Sequence, residues 1–180
     1  MIFVTSDTHF GHKNIIKYSN RPFESVAEMD AEMVKRWNRL VSKNDEVYHL
    51  GDFSFSNAAR TYEIINQLNG RIHLLWGNHD KTIQKNKELQ KMFVWCKNYH
   101  ELKFNKETFV LFHYPLYTWN KMHHGSYHLF GHVHGDTEAR GGRSMDVGVD
   151  CHNFTPVPLE MIVDVLSNQE ILNHHNRNTH

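Results

Sequence analysis

Aspartate, asparagine and histidine side chains occur in five short clusters along the chain. The clusters are Asp7-x-His9, Gly51-Asp52, Gly77-Asn78-His79-Asp80, His113 and Gly131-His132-x-His134. Carboxylate, amide and imidazole ligands without cysteine suit Mn, Fe, Zn, Ni or Co rather than a thiolate zinc site, and we favour Mn. Because the clusters offer more ligands than one ion needs, two divalent ions that share a carboxylate explain them better.

The spacing inside the clusters supports this interpretation. Residues two apart in an extended segment point the same way, so Asp7 with His9, and His132 with His134, can face one centre. The glycine before His132 lets the backbone turn sharply or approach the centre closely, as do those before Asp52 and before Asn78. Taken singly, each cluster has an ordinary explanation, such as a turn or a core histidine. Five clusters in this order, each after a strand, favour metal binding.

The segments before the clusters predict the elements that position them. Apolar runs predict strands at 2–6, 46–50 and 71–76. Helical spacing predicts a helix over 26–40, with Ser25 as N-cap and Glu28 three residues on, and another around 64–68 that ends at Asn69-Gly70. A polar helix is predicted near 82–91. This alternation is typical of an α/β fold with parallel strands, in which chemistry collects at the carboxyl ends.

Beyond residue 91 the pattern changes to strands with little helix between them. Strands are predicted at 94–96, 101–104, 109–112, 127–130 and 143–149. They suggest antiparallel pairing in a second sheet. Segment 161–166 fits either a strand or a short helix. We expect one domain over 1–167 and a polar, disordered tail over 168–180.

Composition excludes several classes of protein. The 180 residues carry no formal net charge, so charge alone implies no stable nucleic-acid partner and no attraction to a membrane surface. No segment is apolar for long enough to span a bilayer, and the start of the chain does not read as a signal peptide. Cys96 and Cys151 lack metal or redox spacing, which favours reduced thiols in a cytoplasmic protein. The sequence does not indicate an oligomeric state.

The order D-x-H, G-D, G-N-H-D, H, G-H-x-H resembles that of the calcineurin-like metallophosphoesterase superfamily. The match runs from Asp7 to His134, about three quarters of the chain. The resemblance implies an α/β fold of two packed mixed β-sheets flanked by helices, a four-layer αββα sandwich, with two metals at the sheet edge. The short chain is most similar to the compact bacterial and phage-type members, many of which are phosphodiesterases.

The resemblance also implies a role for each motif residue. One ion would be held by Asp7, His9 and His134, the other by Asn78, His113 and His132, with Asp52 between them. His79 would not be a ligand, and would protonate or stabilise the leaving oxygen. One departure disfavours a protein phosphatase: Phe53-Ser54-Phe55-Ser56 replaces the aspartate and Arg-Gly that follow Gly-Asp in that branch.

These roles predict a phosphate-ester hydrolase. A hydroxide bridging two ions would attack phosphorus directly, and His79 would supply the proton that a poor leaving group needs. The expected substrate is a phosphodiester, nucleotide or nucleic-acid-derived. A phosphomonoesterase acting on a small metabolite is the alternative. A non-catalytic binding scaffold of the same fold is more remote, because such proteins lose ligands or the catalytic histidine, and here all are present.

Two loops offer candidate substrate contacts. His12 and Arg21 follow the first motif, and Arg21 either clamps a phosphate oxygen or is a surface arginine. The loop between His113 and Gly131 combines aromatic and basic side chains that could stack a base beside a phosphate, or merely pack down. Its candidates are Tyr117, Trp119, Lys121, His123 and His124. Asp146 and Asp150 either face the site or shape the final turns.

Overall fold

A computed structural model describes residues 1–136 and 141–172. Its strands are β1 Ile2–Thr5, β2 Glu46–His49, β3 Arg71–Leu75, β4 Cys96–Lys97, β5 Tyr99–Phe104, β6 Glu107–Phe112, β7 Tyr127–Phe130, β8 Ser144–Asp146 and β9 Val157–Pro158. Its helices are α1 Ile15–Tyr18, α2 Val26–Leu40, α3 Ala58–Gln67, α4 Lys81–Gln84, α5 Lys87–Gln90 and α6 Leu159–Leu166, with 3₁₀ turns at Met122–His124 and Val149–Cys151. The chain is a mixed α/β fold of two mixed sheets flanked by helices.

The first sheet has the strand order β4-β3-β2-β1-β9. Strands β1 to β4 are parallel and β9 is antiparallel to β1, so the predicted alternation of parallel strands and helices is confirmed. The short strand β4 was expected in the second sheet. Instead it pairs with β3, with Cys96 opposite Leu74, so that expectation was wrong.

The second sheet has the strand order β5-β6-β7-β8. Only β5 and β6 are antiparallel, joined by Asn105 and Lys106, whose φ angles of 47° and 68° suit a tight hairpin turn. Strands β6, β7 and β8 are parallel, so the prediction of antiparallel pairing was wrong for most of this sheet. The connections 113–126 and 131–143 are about the dozen residues or more that a parallel crossover needs.

Helix α2 follows the local signals in the sequence. The Ser25 side chain accepts a hydrogen bond from the Glu28 N–H and so caps the first turn. Met29, Met33 and Trp37 recur every fourth residue and are all buried against the first sheet. The predicted helix over 26–40 is therefore confirmed at both ends.

Two other helical segments differ from expectation, and a third decides between two alternatives that the sequence left open. The polar helix predicted near 82–91 is broken into α4 and α5, and the Asn86 side chain caps α5 by accepting from the N–H groups of Glu88 and Leu89. The ambiguous segment 161–166 belongs to α6, which starts after Pro158. The four-residue helix α1 was not predicted, because it is too short to show a periodicity.

Apolar side chains form a core on each side of the first sheet. One lies under α2 and α3 and contains Phe3, Trp37 and Ile64. The other lies between the two sheets and includes the fully buried Val4 and Phe109. The outer face of the second sheet is covered by the 113–126 connection with its 3₁₀ turn. The two sheets are thus fixed against one another by a shared core, which makes their common edge a rigid support.

The end of the described chain remains in contact with the fold. Leu172 packs against the cluster of Val110, Trp119 and Met122 on the second sheet. The rest of the expected tail, 173–180, lies outside the described residues. Within the two described ranges no helix is long and apolar enough to cross a bilayer.

Candidate metal centre

The carboxyl ends of three parallel strands from each sheet meet at one edge of the sandwich. They are β1, β2 and β3 of the first sheet and β6, β7 and β8 of the second. Ser6, at the end of β1, forms a parallel bridge with Gly148, which follows β8. The Asp7 N–H donates to the Gly51 carbonyl at 3.0 Å, and the His9 N–H donates to the Asp52 carbonyl at 2.9 Å. The loops that follow different strands are therefore held against one another by backbone hydrogen bonds.

Two groups of three side chains gather at this edge. One contains Asp7, His9 and His134, and the other contains Asp52, His113 and His132; within each group the potential ligand atoms lie within 4.8 Å of one another. The structure therefore brings together six of the seven side chains that the motifs assign to metals. The seventh, Asn78, lies beside the second group, with its Oδ1 3.0 Å from His113 Nε2.

The Asp52 carboxylate lies between the two groups. Its Oδ2 is 3.5 Å from His9 Nε2 and 3.6 Å from His113 Nε2, at or beyond the limit of a hydrogen bond. Two ligands that are each about 2.1 Å from one ion stand roughly 3.0–3.5 Å apart. Asp52 Oδ1 accepts a hydrogen bond from the His79 N–H at 2.8 Å. This bond orients Oδ2 toward His9 and His113. The distances suit a carboxylate oxygen that serves two ions.

Two buried atoms in the first group lack a partner among the described residues. These are Asp7 Oδ1 and His9 Nε2, and each unsatisfied buried atom costs about 1–3 kcal/mol. Burial raises the pKa of Asp7 to about 8 and lowers the pKa of His9. A divalent cation would satisfy both atoms and hold Asp7 as a carboxylate, so the residues present fit a metal ion.

His113 in the second group also suits a cation. Its Nδ1 lies 2.8 Å from the Leu50 carbonyl and must carry the proton, because a carbonyl can only accept. Burial lowers the pKa of His113 to about 4, so Nε2 is unprotonated at neutral pH. That lone pair faces the Asn78 oxygen, another acceptor, and a metal ion satisfies both at once.

Glycines allow the backbone to approach the two carboxylates. A Cβ atom on Gly131 would lie 2.2 Å from Asp7 Oδ2, and one on Gly77 would lie 2.2 Å from Asp52 Oδ1. Both distances are far below a normal contact. The close approach expected from the sequence is therefore present at these two positions.

Five of the seven candidate ligands have a left-handed backbone conformation. Their φ angles lie between 49° and 73°; they are Asp7, His9, Asp52, His132 and His134. This conformation is uncommon for residues other than glycine and is concentrated at functional sites. No sequence pattern indicated it, because Asp and His occur freely in other conformations.

Arg21 is a buried support of the site and not a substrate clamp. Its side chain is 0% exposed, and its Nε and NH2 groups donate to both oxygens of Asp150 at 2.8 Å. Further N–H groups donate to the backbone carbonyls of Asp7 and Thr8. The expectation that Arg21 grips a phosphate was therefore wrong, because all three guanidinium nitrogens are already engaged inside the protein.

Asp150 connects this arginine to a candidate ligand. Its Oδ2 lies 2.7 Å from His134 Nδ1, which directs the other ring nitrogen toward the first group. Burial opposes the charged form of His134, but the Asp150 hydrogen bond and the nearby carboxylates raise its pKa. Asp146 instead shapes the final turns, since its oxygens accept the N–H groups of Gly135 and Gly148. The two aspartates that the sequence could not separate thus have different roles.

Asp80 organises the loops beneath His79. Its carboxylate is buried and accepts the N–H groups of Asp52, Phe53 and Gly77 at 2.8–2.9 Å. Burial raises the pKa of Asp80 to about 7. This aspartate therefore joins the loop after β2 to the loop after β3.

Two clefts open beside the candidate ligands. The larger, about 690 Å³, is lined by His9, His12, Tyr18, Phe55, His79 and His134 among others. The smaller, about 250 Å³, is lined by Phe55, Asn78, His79, Lys81 and Thr82. Phe55 and His79 border both, so the two clefts meet at the centre. His12, a candidate substrate contact, lines the larger cleft, and its role there stays a prediction.

The five candidates of the second substrate loop line neither of these two clefts. Trp119 is 7% exposed, donates from Nε1 to the Ser126 carbonyl and packs beside Met122, so its expected stacking role was wrong. Tyr117 is 76% exposed, and the exposed rings of His123 and His124 lie 4.1 Å apart. The clefts beside the ligands are lined by other segments.

Sequence reasoning missed two aromatic residues at the site. The Tyr114 ring lies 4.6 Å from that of His132, and its hydroxyl is 3.5 Å from Asn78 Oδ1. Its position directly after a motif histidine could have indicated it. Phe55 carries no such signal, because only the folding of the 53–56 segment brings it between the two clefts.

Comparisons with known proteins agree with this architecture. The chain is 35% identical to the uncharacterized protein MJ1445 of Methanocaldococcus jannaschii, over 95% of this chain and 94% of that protein. It is 34% identical to the Gene 66 protein of Mycobacterium phage L5 over 91 residues, 49% of this chain and 44% of that one. The fold resembles the crystal structure of AQ665, a protein of unknown function from Aquifex aeolicus, with a TM-score of 0.72 and 23% identity over 92% of this chain and 98% of that one.

A family model covers most of the chain. Residues 1–147 match the calcineurin-like phosphoesterase superfamily domain. This range contains every candidate ligand and His79. The chain therefore belongs to the calcineurin-like phosphoesterase superfamily and is a hydrolase of phosphate esters.

Proposed function

We propose that the chain is a two-metal phosphodiesterase. One divalent ion would be held by Asp7, His9 and His134. The other would be held by Asn78, His113 and His132, and Asp52 would contribute to both sites. The observation that carries this proposal is the position of Asp52 Oδ2, at nearly equal distances of 3.5 and 3.6 Å from a histidine of each group. The donor set suits Mn, Fe, Zn, Ni or Co, and Mn is favoured.

The chain's own residues would position the ester and supply the proton. When bound, divalent ions here would lower the pKa of a water and neutralise charge on the phosphoryl oxygens. His79 is exposed at the mouth of the site, its ring 5.5 Å from the His9 ring, and would hold the proton for the leaving oxygen. Burial lowers the pKa of His79, and the negative charge of a bound ester would oppose that shift.

The clefts favour a diester over a monoester. A diester carries two organic groups, and two clefts meet at Phe55 and His79. A monoester carries an extra negative charge that an arginine usually grips, but Arg21 is buried and bound to Asp150. We therefore rank phosphomonoesterase activity on a small metabolite second, after phosphodiesterase activity. A non-catalytic scaffold explains less, since it needs no buried, unsatisfied Asp7 Oδ1.

Metal analysis combined with a substrate panel tests the proposal. Metal-free protein reloaded with Mn, Ni, Zn or Mg should hydrolyse bis-p-nitrophenyl phosphate faster than p-nitrophenyl phosphate, and should hold two ions per chain. Asp52→Asn should reduce occupancy of both sites and abolish hydrolysis. Asp164→Asn, which changes an exposed carboxylate on α6, is the matched control and should behave as the native protein. Full activity with one ion or none would refute the two-metal proposal, and a clear preference for the monoester would refute the diester.

A further inference from the structure

We propose that Phe55 and His12 form a stacking platform for a nucleobase, so that the substrate is a phosphodiester carrying a nucleoside in the larger cleft. This inference rests on the proposed function, because it names the substrate class of the same site. The two residues are 43 positions apart and come from different loops. Their association is therefore a property of the fold and not of a sequence motif.

The platform is a stacked pair of aromatic rings, and its Phe55 member stays half exposed, so a base can extend the stack. The rings of His12 and Phe55 are stacked, with centroids 4.1 Å apart and planes inclined by 16°. Phe55 remains 49% exposed although it lies at the centre of the site. The exposed Tyr18 ring lies edge-on to His12 at 6.4 Å and lines the same cleft. The contact of an exposed aromatic face with water is unfavourable in free energy. A planar ligand that covers the face removes this contact and so binds more tightly.

The platform lies next to the reacting position. The Phe55 ring is 5.4 Å from the His79 ring, and the His12 ring is 5.4 Å from the His9 ring. The same cleft is bordered by His9 and His134 of the first ligand group. An ester group on a phosphorus atom bound at this group would thus enter the cleft directly. Its volume of about 690 Å³ lies in the range of pockets that enclose small organic ligands.

Polar groups in the cleft suit a base more than a purely apolar group. Lys13, Asn14 and Ser19 line it together with the aromatic rings. Amide and hydroxyl side chains can both donate and accept hydrogen bonds, as the edge of a nucleobase does. A ring face beside such groups is the usual arrangement for sequence-tolerant binding of bases. An alkyl or lipid substituent would make no hydrogen bonds to these groups.

Paired ligands isolate the contribution of the base. We would measure dissociation constants by calorimetry for adenosine 5′-monophosphate and ribose 5-phosphate on the metal-loaded protein, because ribose 5-phosphate carries a hydroxyl group at C1 where the nucleotide carries its base. Stacking on an aromatic side chain should make the nucleotide bind about tenfold to a hundredfold more tightly. Phe55→Ala should remove most of this ratio, and Phe55→Trp should retain it. Tyr62→Ala is the matched control, an exposed aromatic (52%) on α3 outside the two clefts, and should leave the ratio unchanged.

The outcomes separate this inference from the proposed function. Equal affinity of native protein for the two ligands would overturn the platform, even if bis-p-nitrophenyl phosphate is hydrolysed. A Phe55→Ala variant that weakens both ligands equally would also overturn it, because Phe55 would then act only on the shape of the site. A native protein that discriminates through Phe55 but fails to hydrolyse any diester would refute the proposed function and leave the base site standing.

Discussion

Replacement of Asp150 by asparagine tests how the first ligand group is held in place. The carboxylate receives two hydrogen bonds from Arg21 at 2.8 Å and lies 2.7 Å from His134 Nδ1. Asparagine has nearly the same shape but only one accepting oxygen and no charge. An asparagine oxygen in the position of Oδ2 can accept from both His134 and Arg21 NH2, but the amide NH2 group then faces Arg21 Nε, so the variant cannot keep all three contacts and the charge at once.

Two losses are expected in this variant, one in metal affinity and one in the free energy of unfolding. Loss of a carboxylate that orients a metal-binding histidine usually costs 10–100-fold in metal affinity, about 1.4–2.8 kcal/mol. Breaking a buried ion pair costs about 3–5 kcal/mol, because the remaining charge is left uncompensated. Arg21 keeps its bonds to the carbonyls of Asp7 and Thr8, so we expect the lower end, about 3 kcal/mol. A protein of ordinary stability would still fold.

Calorimetric titration of the metal-free variant with Mn²⁺ would measure the loss of metal affinity. Unfolding in denaturant would measure the loss of unfolding free energy. Only the site that contains His134 should weaken, so the isotherm should separate into a tight and a weak step. Arg21→Lys is the companion variant: it loses the paired contact to Asp150 but leaves the acceptor for His134. It should lose stability with a smaller change in metal affinity.

Asp164→Asn is again the control for removing one carboxylate. If Asp150→Asn binds both ions as tightly as the native protein, His134 does not depend on Asp150, and the assignment of a supporting role to Asp150 is wrong. If the Mn²⁺ affinity of both sites falls equally, the substitution disturbs the fold as a whole and does not act on His134 alone.

Three further predictions follow from the site. His79→Ala should keep both ions but lower kcat by about 10²–10⁴-fold on an alkyl leaving group and much less on p-nitrophenol; equal losses would exclude the acid role. Gly131→Ala should reduce metal content, because its Cβ would lie 2.2 Å from Asp7 Oδ2, and elemental analysis showing two ions would contradict this. Burial raises the pKa values of Asp7, Asp52 and Asp80 to about 8, 6 and 7, from 3.8. In the metal-free protein these three carboxyl groups should therefore contribute less unfolding free energy as pH rises from about 4 through 8, since the unfolded chain releases their protons first. The lowered pKa values of the buried His113 and His128 act in the opposite direction below about pH 6.5, so the contribution of one carboxyl group has to be isolated by substitution. Unfolding midpoints of the metal-free native protein and of Asp80→Asn at pH 5 and 8 measure this. A difference in midpoint, native minus variant, that does not decrease from pH 5 to pH 8 would contradict it.

Local signals explain what could be predicted from the sequence. Helix α2 has a capping serine and a buried residue at every fourth position, and both act within a few residues. The ligand clusters were visible because each directly follows a strand, and parallel strands end at one edge. The pairs Asp7 with His9 and His132 with His134 needed only this local rule.

Long-range contacts explain what could not be predicted. Arg21 and Asp150 are 129 positions apart, and nothing near either residue indicates a partner. The sequence left open whether Trp119 stacks on a base or packs down, because its burial depends on a sheet face formed by distant strands. The direction of β7 and β8 depends on the path of the connections that precede them, and periodicity carries no information about that path.

The left-handed conformation of five candidate ligands has a consequence for how such a chain evolves. Each of these residues holds a backbone geometry that glycine would adopt at lower cost, so the site is maintained against the folding stability of the chain. Mutations to glycine at these positions would relax the backbone and remove a ligand in the same step. A lineage that stopped hydrolysing phosphate esters would thus drift toward glycine there, gaining stability as it lost the metals. The trade-off makes loss of catalysis easy and its recovery difficult, because recovery requires several destabilising substitutions together.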